Sequence, residues 1–246
     1  MIQMFLEAGM VAGIYLLLAL PALGGKQRGW IAAVAIFSFL STVAVSLPVT
    51  WPHAFPAIGK DWNWDGKLCS IAFTTVAAIV LMVFAGFRRT DFGLTFKQAP
   101  GTGRAILFGI VPFLIFDAAI VWAIAPHEAV SPETLAFQGT LPGLDEEFLF
   151  RGVMLALFDR MFSAKASILG ARMGYGALVV SIVFGLVHAV RIDANFAIHT
   201  YVMQGVFAGI TGLVLVWIRT RTQSLVVPVL THNALNLINN ILPALL

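Results

Sequence analysis

Charge is what this chain has least of. Only 11% of its 246 residues are Asp, Glu, Lys or Arg, 59% are hydrophobic, and the mean hydropathy is +0.91. Soluble domains carry about 25% charged residues, so a water-soluble globule is excluded and lipid is the solvent this composition fits. Cysteine is almost absent: Cys69 stands alone, which excludes an internal disulfide and any CxxC redox or metal pair. Basic clusters are lacking as well. The net charge is +3 and the cations are scattered between apolar runs, an unsuitable surface for a nucleic-acid backbone. The chain has no H-E-x-x-H pair, no inverted repeat and no low-complexity segment.

Long apolar runs are what the chain has instead. A bilayer core needs roughly 20 apolar residues per helical span, so this length accommodates about eight spans and no separate soluble domain. Runs free of Lys and Arg, apart from one internal arginine, fall near 8–24, 29–49, 68–87, 105–126, 141–159, 173–190, 196–218 and 224–245. The expected fold is therefore an all-α polytopic transmembrane helix bundle. It is a single integral-membrane domain over 1–246, with four N-terminal spans in 1–126 and a core of four in 131–246. The first run ends in Ala22, Leu23, Gly24 and Gly25 like a signal peptide, but Met1 to Glu7 carries no cation and Lys26 and Arg28 follow it. It reads as a retained span. The fifth run is the least regular; a start near Ser131, with Pro142 and Gly143 as a kink, is the alternative.

Eleven of the fifteen cations lie in the odd-numbered loops, and the even-numbered loops and termini hold only Lys60, Lys67 and Arg191. Because loops rich in Lys and Arg stay cytoplasmic, both termini are expected outside. The loop from Pro48 to Lys67 carries Trp51, Trp62 and Trp64 with two aspartates, which suits a headgroup anchor; substrate gating is the alternative role.

Charged residues inside a span cost about 2.5–3.5 kcal/mol each on insertion scales and mark function. Glu146, Glu147 and Arg151 lie within the fifth run. Glu147 and Arg151 stand four apart and can pair, which leaves Glu146 for a water-containing cavity. Phe184 and His188 share a face at i, i+4, as do His232 and Asn236 on the last run, with Asn239 and Asn240 continuing a polar stripe. Singly, such His and Asn residues serve equally well as hydrogen-bonding glue between helices. Asp117 reads as a hydrogen-bonded packing residue, and His53, His127 and His199 as solvated or interfacial. No nucleophile is needed: Ser181 lies two turns before His188 with no base tied to it in sequence.

The ordered set E-E-x-x-x-R, F-x-x-x-H and H-x-x-x-N on three predicted spans resembles the CAAX protease and bacteriocin-processing family, which includes the type II CAAX prenyl endopeptidases and comprises intramembrane glutamic proteases. The resemblance implies an endopeptidase in which Glu146 and His188 activate water and His232 with Asn236 stabilises the oxyanion, supported by Glu147, Arg151 and Phe184. It implies no metal cofactor, the bilayer and a peptide or lipidated protein as partners, and a CAAX-type prenylated tail as one substrate class. A multi-pass prokaryotic plasma-membrane location is the expectation from the charge pattern. The competing readings are a Zn-dependent membrane protease using Glu146, Glu147, His188 and His232, a non-enzymatic scaffold or chaperone of the same fold, and a proton-linked carrier.

Overall fold

In lipid, each backbone N–H and C=O has to be satisfied within its own segment, which makes the apolar runs helical. The computed structural model describes residues 1–56 and 58–245; Ala57, inside the tryptophan-rich loop, and Leu246 lie outside them. The helices are α1 (Ile2–Ala19), α2 (Trp30–Thr50), α3 (Trp64–Ala85), α4 (Thr102–Ala105) running through a π-helical turn into α5 (Val111–Ile124), α6 (Pro132–Gln138), α7 (Leu141–Glu146), a π-helical segment (Glu147–Met154) continuing into α8 (Leu155–Met161), α9 (Tyr175–Ala189), α10 (Val202–Thr222) and α11 (Val226–Leu245). The protein is thus an integral membrane helix bundle. Among the described residues five helical stretches are long and apolar enough to cross a bilayer: Ile2–Ala22, Trp30–Thr50, Trp64–Ala85, Thr102–Ile124 and Val202–Thr222.

The other three expected spans are the α7–α8 rod, α9 and α11, which are broken, short or more polar. They carry the motif residues, and each charged or amide side chain lowers the hydropathy of the helix that holds it. The eight apolar runs therefore correspond to eight rods of unequal apolarity.

Local signals place the ends. Asn63 caps α3 by accepting from the Gly66 N–H at 2.9 Å, and Gly86 closes it in the left-handed conformation at φ +68°. Ser131 caps α6 by accepting from the Thr134 N–H at 3.1 Å, with Pro132 in the first turn. With the alternative start near Ser131, the fifth span breaks at Gly139 and Thr140, just before the expected kink. Pro142 sits instead in the first turn of α7, where its missing N–H is no loss. The expected start of the seventh span at 196 also moves. The described residues include two short hairpins, β1 (Lys165–Ile168) with β2 (Ala171–Gly174) and β3 (Val190–Ile192) with β4 (Ile198–Thr200); the second carries the chain to Thr200 before α10 begins. Its turn is built by Asp193, which accepts from the N–H groups of Asn195 and Ala197 and sits 2.9 Å from exposed His199.

The π segment lies at the centre, touching α3, α9, α10 and α11, while α1 packs on α2 and α9. Helices α9 and α10 approach through small residues. A Cβ on Gly185 would stand 2.7 Å from the Gly205 carbonyl, and one on Gly205 would stand 2.4 Å from Ala189 Cβ. This backbone-to-backbone approach gains dispersion contact where lipid offers no hydrophobic drive.

The tryptophan loop docks on α6. Trp62 stacks on Phe137 at 5.1 Å and donates to Thr134 Oγ1 at 3.0 Å, and Trp64 meets the edge of the same ring at 5.2 Å. Glu133 Oε1 accepts from the Lys60 and Asp61 N–H groups and the Trp64 indole at 2.9–3.2 Å. Partial desolvation opposes ionisation of Glu133, but these N–H donors outweigh it and hold its carboxyl below the usual carboxylate range. Of the three tryptophans expected to anchor in headgroups, only Trp51 is exposed.

Candidate active site

The π segment shapes the site. A run of i→i+5 turns is wider than an α-helix, and such turns persist where a side chain has to be re-aimed. Here it begins directly after Glu146. Glu147 and Arg151, both fully buried, pair at 2.9 Å, and Arg151 donates onward to the Gly212 carbonyl of α10. The guanidinium carbon also lies 4.1 Å from the centre of the Phe184 ring, which adds a cation–π contact. A buried guanidinium needs all of these partners to offset its lost hydration.

Phe184 is the hub of the imidazoles. Its ring lies 4.5 Å from that of His188 and 6.0 Å, edge-on, from that of His232. Each imidazole is oriented through Nδ1. His188 Nδ1 is 2.7 Å from the Phe184 carbonyl and His232 Nδ1 is 2.8 Å from Glu147 Oε1; both partners only accept, so each Nδ1 carries the hydrogen. Both Nε2 atoms then face Glu146, at 3.9 Å from Oε2 for His188 and 3.8 Å for His232. Those gaps exceed a direct hydrogen bond and match the span a bridging water covers. Glu146 Oε2 is buried without a hydrogen-bond partner among the described residues, whereas Oε1 is held by Lys67.

Lys67 is the site residue that sequence reading missed. Its ammonium lies 2.7 Å from Glu146 Oε1 and 2.9 Å from Asp145 Oδ2. In sequence it resembles a loop cation just before the third apolar run. The available signal was that three consecutive acids, Asp145, Glu146 and Glu147, outnumber the single in-span Arg151. With Lys67 added, the cluster retains one uncompensated negative charge when both imidazoles are neutral.

The motif residues are not all brought together. Glu146, Glu147, Arg151, Phe184, His188 and His232 form one connected group. Asn236, one turn beyond His232, is half-buried, and its side chain makes no hydrogen bond among the described residues. Asn233 is instead the tethered amide, accepting from the Gly143 N–H at 2.9 Å and donating to the Thr140 carbonyl at 3.0 Å. Gly143 permits this, since a Cβ there would stand 2.3 Å from Asn233 Oδ1. Asp117 accepts from Asn239 at 3.1 Å, an α5–α11 contact away from the cluster. Ser181 donates to the Ala177 carbonyl of its own helix at 2.7 Å.

A chamber of about 340 Å³ opens beside Glu146 and His188. Ser38, Ser41, Thr42 and Ser46 of α2 and Ser70 of α3 line it with hydroxyl groups, and Glu7 and Arg191 line it too. Phe150, Leu149 and Val187 supply apolar surface. Among the described residues no group of three or more His, Cys, Asp or Glu is arranged to hold a metal ion.

Residues 131–238 match the family model described as Type II CAAX prenyl endopeptidase Rce1-like. Neither a curated protein nor a solved structure matches the chain. The matched stretch runs from the cap of α6 to two residues beyond Asn236 and contains every motif residue. Lys67 and the serine-lined wall of the chamber lie outside it.

Proposed function

We propose that this integral membrane protein, similar over residues 131–238 to the type II CAAX prenyl endopeptidases, hydrolyses a peptide bond of a membrane-associated substrate with a water molecule activated by Glu146. The observation that carries the reading is the buried Glu146 Oε2, without a hydrogen-bond partner among the described residues, facing two imidazole Nε2 atoms at water-bridging distance.

An amide is a poor electrophile, so the reaction needs a base for water, donors for the developing oxyanion and an acid for the leaving amine. Water held between Glu146 and His188 gives up a proton to Glu146 as it attacks the scissile carbonyl, and that proton passes to the leaving nitrogen. Lys67 keeps Glu146 charged before attack. His232 donates to the oxyanion through Nε2 when it holds a second proton; Glu147, on its Nδ1–H, stabilises that imidazolium. One such proton cancels the residual negative charge of the cluster. Asn236 supplies a second donor by swinging its free amide toward substrate.

Zinc would need the same Nε2 and Oε2 atoms, and the Lys67 ammonium already bonded to Glu146 would repel it. The water mechanism is therefore preferred. The chamber lies at the end of the bundle with Lys67, Arg191 and the start of α1. If the cation-rich loops are cytoplasmic, it opens toward the outer half of a plasma membrane, and substrates present the scissile bond there.

The test is cleavage of quenched fluorescent membrane peptides, prenylated and unprenylated, by purified protein beside Glu146→Gln and His188→Ala, with and without chelator. Turnover that disappears in both variants and survives chelation supports the proposal. Activity restored only by zinc transfers the case to a metalloprotease. Wild type indistinguishable from both folded variants transfers it to a non-enzymatic scaffold.

A further inference from the structure

At the opposite end of the bundle from the chamber lies a larger hollow of about 1080 Å³, unconnected with the motif residues. It is lined by Arg88, Lys97, Arg160, Lys165, Arg172 and Arg219. The carboxylates there are Asp91 and Asp159, and both are committed: Asp159 lies 2.6 Å from Lys165, and Asp91 pairs with Arg88. Among the described residues the other four cations form no ion pair with a carboxylate. Arg160 is stacked over Phe87 at 4.2 Å, and Arg219 is buried, donating through Nη2 to the Thr90 and Asp91 carbonyls. Lys97 and Arg172 make no side-chain hydrogen bond among the described residues, and both are exposed to the hollow.

The wall is built rather than loose. The segment 86–101 is pinned to the α10–α11 turn by hydrogen bonds from the Ala99 N–H to the Thr222 carbonyl and from the Leu225 N–H to the Gly93 carbonyl. Gly93, at φ +72°, brings the backbone against Arg219 so closely that a Cβ would stand 2.4 Å from its Nε. That Nε is itself buried and has no hydrogen-bond partner among the described residues. A rigid cleft with an excess of guanidinium and ammonium groups suits a group of concentrated negative charge. Phe87, Leu155 and Pro100 add apolar wall to a volume several times that of one phosphate.

We propose that this hollow binds a phosphate-bearing anion, the chemistry shared by an anionic phospholipid headgroup and a free phosphate compound. The ordinary reading of these cations as topogenic loop charges predicts that any cation at this end serves equally, and the two accounts separate there. Lys26 and Arg28 lie at the same end, on the α1–α2 turn, outside the hollow.

The experiment is native mass spectrometry of detergent-purified full-length protein titrated with phosphatidylglycerol, phosphatidylcholine or pyrophosphate. Wild type is run beside K97Q/R172Q and the control K26Q/R28Q, each first shown to elute and melt as wild type does. The expected result is phosphatidylglycerol binding weakened at least about tenfold in K97Q/R172Q, less than threefold in the control, with phosphatidylcholine bound weakly by all three. Resistance of that binding to millimolar pyrophosphate assigns the site to lipid. Pyrophosphate binding with the same mutational pattern, and none for phosphatidylglycerol, assigns it to a free phosphate. Equal losses in both double variants, or no loss in either, overturn the proposal.

Discussion

Removing the Lys67 ammonium isolates the electrostatic demand of the site. Its two contacts, 2.7 Å to Glu146 and 2.9 Å to Asp145, hold two adjacent carboxylates in a place where their side chains are only 17% and 4% exposed. Deleting one partner of a buried ion pair costs about 3–5 kcal/mol, because the remaining charge is left uncompensated. Lys67 is itself 16% exposed, so water reaches the cluster and the lower end applies, about 3 kcal/mol. If the base carries that loss into the transition state, at 1.36 kcal/mol per tenfold, kcat/KM of Lys67→Met falls about 10²-fold. Asp145→Asn added to Lys67→Met removes one of the two facing charges, and the double variant regains about tenfold. The assay is peptide cleavage by detergent-purified variants whose elution and helical circular dichroism match wild type. A Lys67→Met protein with more than a third of wild-type kcat/KM, beside an inactive Glu146→Gln, refutes the electrostatic role.

Arg151→Met leaves the fully buried Glu147 uncompensated and lowers stability by about 3–5 kcal/mol, read as an earlier thermal transition in detergent. Gly205→Val drives a side chain into Ala189 and Gly185, so α9 separates from α10, His188 shifts, and both melting temperature and turnover fall; an unchanged melt would show that the close approach is unimportant. The docking of the tryptophan loop on Glu133 is expected to depend on pH. Because the folded-state titration of Glu133 is depressed, its contribution is present above the ordinary glutamate range and lost as pH falls through the depressed value. Trp62 and Trp64 fluorescence should therefore change in acid, and Glu133→Gln should show the change already at neutral pH.

The site was legible to the extent that its chemistry is local. Glu147 and Arg151 are four apart and do pair; Phe184 and His188 share a helix face, and their rings meet at 4.5 Å. The order of the three motifs along the chain was enough to recognise the resemblance that the family match over 131–238 supports. The excess of acids called for a further cation, but that Lys67 is that cation was hidden, because its partners lie 78 and 79 positions away across the α3–α7 contact. The π-helical phase after Glu146 was equally hidden, since the same residues suit an α-helix. Of the asparagines on α11, Asn239 makes the interhelical bond the stripe suggested, to Asp117, and Asn233, outside the stripe, makes another through the close approach of Gly143.

Composition and periodicity alone determined that lipid is the solvent and that the apolar runs are helices, because unsatisfied backbone groups are too costly in hydrocarbon for anything else. They also located the acids and imidazoles whose burial has to be compensated. Tertiary structure decided which partners do the compensating. Charge interactions act through space at distances of 3–4 Å, and helix packing brings together groups that the chain itself keeps dozens of residues apart.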